Sequence, residues 1–258
     1  MTSDEQFAAE LATAAGRVLQ ATRREHGALP FGELKDLGDR NAQAEIASLL
    51  TAARPDDAVL SEEAADTSGR TGRDRVWIID PLDGTREFAE GRADWAVHVA
   101  LWERSADGST GADGELTVGA VAIPDEDLVL CSGAPPAVPA RGAGPLRIAV
   151  SRSRPAPQVG RLTEHLAAGG RATELVPMGS AGVKIAAVVR GLVDVYVHGG
   201  GQYEWDSAAP VAVARAAGLH TSRLDGSPLV YNRPDPYLPD LMVCPPDLAG
   251  TVLDALRG

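Results

Sequence analysis

Val76-Trp77-Ile78-Ile79-Asp80-Pro81-Leu82-Asp83-Gly84-Thr85 sets two carboxylates three residues apart where a buried strand gives way to a helix. Val76 to Ile79 is a continuous apolar run of strand type, so Asp80 emerges from the core at the strand end, and Pro81 is expected to stop the ladder there. Asp83 then turns back toward Asp80. Two anions so close raise each other's pKa unless a cation joins them, and a bound divalent ion would keep both ionised and acidify a coordinated water. Gly84-Thr85 opens a helix whose free N–H groups suit a phosphate oxygen. The stretch points to metal-assisted phosphoryl chemistry.

The rest of the chain is compatible with that chemistry and excludes several others. It has 258 residues, 44% of them hydrophobic, enough for one large domain or two packed ones. Against 24 basic residues stand 36 acidic ones, a net charge of −12, which disfavours a nucleic-acid polymer or an anionic membrane as partner and suits recruitment of Mg²⁺. Cys131 and Cys244 lie far apart without zinc-ligand spacing, so neither a disulfide framework nor a zinc site is expected. The start of the chain has no leader pattern, no apolar run approaches a membrane span, and a cytoplasmic location is expected. Only Lys35 and Lys184 are lysines, which draws attention to Lys184.

Outward from the central stretch, apolar spacing predicts a helix over Phe7 to Arg24, a loop from Gly27 to Gly38, and a second helix over Arg40 to Ala52 with Asp39 as its N-cap. A short strand Ala58 to Leu60 precedes Glu62-Glu63. Trp95 to Trp102 alternates as a half-buried strand, and Thr117 to Ile123 with Leu128 to Ser132 reads as a hairpin. Gly133 to Pro145, rich in Ala, Pro and Gly, is the expected linker between an N-terminal α+β half (1–132) and a C-terminal α/β half (146–258). In the second half, strands are expected at Leu146 to Val150, Leu192 to His198 and Leu241 to Cys244. Helices are expected at Gln158 to Ala168, at Ser180 to Arg190 with Ser180 as cap, and from Asp206 to Ala217 with Pro210 in its first turn.

Three acidic signatures now stand in order: Glu62-Glu63 after a strand, Asp80-x-x-Asp83-Gly84-Thr85 after a strand, and Trp205-Asp206-Ser207-Ala208-Ala209 at a helix start. Together they resemble the inositol monophosphatase superfamily over essentially the whole chain. The resemblance implies an αβαβα layered sandwich and a Mg²⁺-dependent, lithium-sensitive phosphomonoesterase using two or three ions. It implies metal ligands Glu62, Asp80, the Leu82 carbonyl, Asp83 and Asp206, all oxygen donors as Mg²⁺ requires. Asp39 and Thr85 match the pair that orients the attacking water, with Glu62 helping to deprotonate it, and Gly84 and Thr85 would hold phosphate oxygens. A homodimer is compatible with this class.

Within the superfamily, Arg86-Glu87-Phe88 after Gly84-Thr85 is similar to the CysQ type, the 3′-phosphoadenosine-5′-phosphate phosphatases, and points to an adenosine bisphosphate as the small-molecule partner. Gly179-Ser180-x-x-x-Lys184 resembles the segment of these nucleotidases where a helix N-terminus and a lysine approach the nucleotide phosphates. Ser151 and Arg154 fall where relatives carry Ser-Arg-Ser-His, from which Arg154 departs.

Blander readings compete with each assignment. Single acids at helix starts are ordinarily caps, which would suffice for Asp39 or Asp206 alone. His98 and His198 read as satisfied structural histidines, Trp205 as core, and Glu63 as a solvated neighbour. A haloacid-dehalogenase-type phosphatase has one residue fewer between its aspartates. A silent metal or nucleotide binder would have lost part of the acidic set, and an inositol-1-phosphate or fructose-1,6-bisphosphate phosphatase would share the same metal site. Within the superfamily reading, Asp83→Asn is expected to leave the fold intact by relieving like-charge repulsion.

Overall fold

The computed structural model describes residues 3–64, 69–105, 114–152 and 156–257. Five layers stack as α, β, α, β, α. The first sheet runs β1 (Ala58–Ser61), β2 (Arg75–Asp83), β3 (Ala96–Arg104), β4 (Gly114–Ile123), β5 (Leu128–Cys131), with β1 parallel to β2 and the remaining neighbours antiparallel. The second has the order β10 (His220–Ser222), β12 (Leu241–Cys244), β8 (Val195–His198), β6 (Leu146–Ser151), β7 (Thr173–Met178). A small ladder pairs β9 (Gln202–Tyr203) with β11 (Tyr237–Leu238).

Period-two alternation sorts the core into layers. Trp77, Ile79, Val97, Val99 and Leu101 face α1 (Asp4–His26) and α2 (Phe31–Ala53). Their neighbours Val76, Ile78, Ala100 and Trp102 face α5 (Ala181–Val189) and α6 (Glu204–Ala216), which also cover Ala149, Tyr196 and Val243 of the second sheet. The outer face of that sheet packs on α4 (Pro157–Ala168) and α7 (Pro246–Arg257). Thus α5 and α6, from the second half of the sequence, form the layer between the two sheets.

Four local expectations are corrected. The Gly27–Gly38 loop is mostly helix: α2 starts at Phe31 after Pro30, and Leu34, Gly38, Ala42, Ile46 and Leu50 are buried at four-residue spacing. Gly38 sits inside this helix because Phe88 and Leu82 press against it, and a Cβ there would lie 2.9 Å from the Phe88 ring. Asp39 is consequently a mid-helix residue, 5% exposed, and caps nothing.

Strand β2 does not stop at Pro81. Its pairing with β3 resumes at Asp83 after a register shift, with Asp80 opposite His98 and Asp83 opposite Ala96. Three steps on β2 match two on β3, a one-residue bulge. Finally, α6 begins at Glu204, so Asp206 is its third residue and Pro210 its seventh, beyond the first turn. Strands β7, β9, β10 and β11 and helix α7 are additions to the expected list, and Leu192 to Asp194 precede β8 rather than joining it.

Candidate active site

The bulge in β2 is what brings the two aspartates together. Residues three apart on a regular strand face opposite sides, but one inserted residue restores the parity, so Asp80 and Asp83 both face the α5/α6 layer. Leu82 N–H donates to Asp80 Oδ1 at 3.0 Å, closing the turn. Asp206 arrives from the first turn of α6, and carboxylate oxygens of Asp80, Asp83 and Asp206 lie within 4.8 Å of one another. Gly84 follows at φ +87°, a conformation that favours glycine, and a Cβ there would sit 3.2 Å from Ser180 and Trp95.

The three acids are electrostatically unlike. Burial works against ionisation of Asp83, yet His98, the Ser180 hydroxyl and the Gly182 N–H reverse it and hold the carboxyl at about 2. Its partners are specific. Ser180 Oγ donates to Oδ2, Gly182 N–H to Oδ2 at 2.7 Å, Ala181 N–H to Oδ1 at 3.2 Å, and His98 Nε2 lies 3.2 Å away. Asp83 therefore caps the N-terminus of α5 from another sheet.

Burial pushes Asp206 up to about 7, reinforced by the charge of Asp83, although Tyr203 N–H donates to its Oδ2 at 2.6 Å. Asp80 is driven well above the carboxylate range by burial, then by Glu62, Asp83 and Asp206. Its Oδ2 is buried and, among the described residues, has no hydrogen-bond partner. Glu62, exposed after β1, is raised by desolvation and by Glu63 and Asp83.

An orphaned carboxylate oxygen among three converging acids is a demand for a cation. The donor set is all oxygen, which fits a hard divalent ion.

A cavity of about 550 Å³ opens beside this cluster. Asp83, Gly84, Thr85, Ser151, Ser180, Lys184 and Asp206 are among its walls. Asp80, Leu82, Glu62 and Asp39 are not among those walls, and Arg154 falls outside the described residues. Asp39 is pushed up to about 7 by burial and by Glu63. Among the described residues no hydrogen bond joins it to Thr85, although α2 packs on the short helix α3 (Thr85–Ala89) that Thr85 begins.

Lys184, 5% exposed, donates to the Gly179 and Ser180 carbonyls at 3.1 and 2.6 Å and stands 5.4 Å over the Tyr196 ring. Burial lowers its pKa, against the pull of Asp83 and Glu87.

The sequence reading of His98 as a satisfied structural histidine gave no hint that it touches the acidic cluster. It is wholly buried, and its Nδ1 lies 3.1 Å from the Trp205 carbonyl, so the ring spans Asp83 and the start of α6. Its place opposite Asp80 depends on the β2–β3 register, which no local motif encodes.

Residues 2–255 match the model of the inositol monophosphatase family. The chain belongs to that family. Its members are metal-dependent phosphatases. A Mycobacterium leprae protein named 3′-phosphoadenosine 5′-phosphate phosphatase is 51% identical, over 99% of this chain and 94% of its own length. The Escherichia coli 3′(2′),5′-bisphosphate nucleotidase CysQ is 30% identical, over 78% of this chain and 80% of its own. Among solved structures, CysQ from Bacteroides thetaiotaomicron superposes with a TM-score of 0.81 at 25% identity, covering 94% of this chain and 97% of that one. This family member thus has the expected αβαβα architecture. Among the described residues no helix is long and apolar enough to cross a membrane.

Proposed function

We propose that this protein is a Mg²⁺-dependent phosphomonoesterase that removes the 3′-phosphate of 3′-phosphoadenosine-5′-phosphate in the cytoplasm, yielding AMP and phosphate. The carrying observation is the convergence of Asp80, Asp83 and Asp206, with an unpartnered buried carboxylate oxygen, on a cavity also walled by Thr85 and Lys184. The substrate assignment is supported by the 51% identity to a protein named for that activity.

In this reading Asp80, Asp83, Asp206, Glu62 and the Leu82 carbonyl hold two or three ions. Bound there, Mg²⁺ would neutralise the phosphate and acidify a coordinated water. The Thr85 hydroxyl orients the attacking water, and Asp39, with a carboxyl at about 7, relays its proton with help from Glu62. Gly84 and Thr85 N–H groups receive phosphate oxygens. Lys184 has three N–H donors, of which two are given to carbonyls, and in this reading the third would serve the phosphate that is not cleaved. Ser180 contributes differently from the expectation, since its hydroxyl proton is committed to Asp83.

The test is kcat/KM for the adenosine bisphosphate, inositol-1-phosphate and fructose-1,6-bisphosphate, in wild type and Lys184→Ala. The bisphosphate should be preferred, and the variant should lose about 1.5–3 kcal/mol of transition-state binding on it, the scale of a charge-assisted hydrogen bond. Inositol-1-phosphate should be affected less. A wild-type preference for inositol-1-phosphate, or equal losses on every substrate, would refute the substrate assignment.

A further inference from the structure

Helix α6 delivers Asp206 to the acidic cluster, and although Tyr203 N–H donates to the Asp206 carboxylate at 2.6 Å, the first turn lacks one of its backbone bonds. Pro210 has no N–H, so the Asp206 carbonyl loses its intrahelical donor, and the proline ring crowds that same carbonyl. A carboxylate that must be placed accurately therefore sits on a residue whose own carbonyl has no helical donor.

Compensation comes from outside. Glu204, the first residue of α6 and 1% exposed, accepts from two successive backbone N–H groups, Asn232 at 2.6 Å and Arg233 at 2.8 Å. That segment is itself gripped by Arg70, 2% exposed, whose guanidinium donates to Asn232 Oδ1 and, at 2.9 Å, to the Arg233 carbonyl. Asn232 takes a left-handed φ of +61°, which aims consecutive N–H groups at one carboxylate. The helix is also anchored at Glu204 N–H, which donates to the Pro236 carbonyl at 2.8 Å.

Arg70 lies in the connection from β1 to β2, the connection that Glu62 begins. A chain of bonds thus runs from the Glu62 connection through Asn232 and Arg233 to Glu204, two residues from Asp206.

We infer that Glu204 and Arg70 are positioning residues, a buried clamp that fixes the Asp206 carboxylate against Asp80 and Asp83 in place of the helical bond Pro210 cannot make. They touch no reacting atom. The inference rests on the assignment of Asp206 as a metal ligand under the proposed function. Burying a glutamate and an arginine so deeply is costly unless their hydrogen bonds are well formed, and here each makes two to the same segment.

The experiment measures Mn²⁺ binding by calorimetry, together with kcat and KM against Mg²⁺ concentration, for wild type, Asp206→Asn, Glu204→Gln, Arg70→Lys, Pro210→Ala and the Glu204→Gln/Pro210→Ala double variant. Glu204→Gln keeps the shape but presents an amide where one acceptor is needed. It should weaken Mn²⁺ binding about tenfold or more, the usual cost of losing support behind a ligand. The Mg²⁺ concentration for half-maximal activity should rise in parallel, while substrate KM at saturating Mg²⁺ moves little. Arg70→Lys, which keeps the charge and loses the two-pronged grip, should shift the same constant in the same direction.

The proline variant supplies the decisive comparison. Pro210→Ala restores the internal bond, so Glu204→Gln should cost distinctly less in that background, a non-additivity expected only if the clamp substitutes for the helix. A folded Glu204→Gln protein with unchanged Mn²⁺ affinity, or strict additivity with Pro210→Ala, would overturn the inference. So would unchanged Arg70→Lys affinity, which needs no folded Glu204→Gln protein to interpret. If Asp206→Asn itself leaves Mn²⁺ binding intact, the metal-ligand assignment falls first and the clamp with it.

Discussion

Neutralising Asp83 and neutralising Asp206 should change stability in opposite directions in the metal-free protein, although both belong to one acidic cluster. Asp83 is held from 3.8 down to about 2, so its contribution is present above its ordinary value and is lost as the pH falls through about 2. At neutral pH that contribution is about 2–3 kcal/mol. Asp83→Asn forfeits it and turns an amide N–H₂ toward the N–H groups of α5, which reverses the expectation that the substitution is harmless to the fold. Asp206 is the reverse case, raised from 3.8 to about 7. Its stabilising contribution is present below 3.8 and is lost as the pH rises through about 7. At about pH 8.5 its charge costs on the order of 2–4 kcal/mol. The assay is thermal unfolding in chelator at about pH 5.5 and about pH 8.5. Asp83→Asn should lower Tm by about 5–10 °C at both. Wild type should lose stability between the two pH values, Asp206→Asn should lose less, and Mg²⁺ should erase the alkaline loss in wild type alone. Equal destabilisation by Asp206→Asn at both pH values, or an Asp83→Asn protein as stable as wild type, would refute the electrostatic account.

Thr85→Ala should lower kcat about a hundredfold or more with little change in KM, measured by phosphate release at saturating Mg²⁺. Gly182→Ala should cost about 1–3 kcal/mol in unfolding and disrupt activity, because the new Cβ would fall 1.9 Å from His98 Nε2. Gly160→Ala, in α4 with nothing within 4 Å, should instead raise stability by about 0.5–1 kcal/mol in the same unfolding assay.

What the sequence disclosed was whatever a contiguous motif encodes. The apolar run Val76 to Ile79 announced a buried strand, and the signatures at Asp80-x-x-Asp83 and at Asp206 drew attention to carboxylates that the fold brings within 4.8 Å of one another. The bulge that places Asp80 and Asp83 on one face was hidden, since Pro81 within a strand argues against continuation. The helix around Asp39 was hidden by Pro30, Gly32 and Gly38, whose local preference yields to packing against Phe88 and Leu82. Helix α6 was placed two residues late because Pro210 is easiest to accept in a first turn. The bonds from Ser180 and Gly182 to Asp83 span 97 and 99 residues, and only tertiary structure reveals such contacts.

The middle layer carries a consequence for synthesis. When the first sheet has left the ribosome, Val76, Ile78, Ala100, Trp102, Val121 and Ile123 still wait for α5 and α6, which are encoded from residue 181 onward. An apolar sheet face therefore stays uncovered while dozens of further residues are translated, a period in which chaperone capture competes with aggregation. The nascent N-terminal half is consequently the form of this enzyme most exposed to loss, and slow translation through 133–180 would lengthen that exposure. Catalytic competence arrives with nearly the last third of the chain.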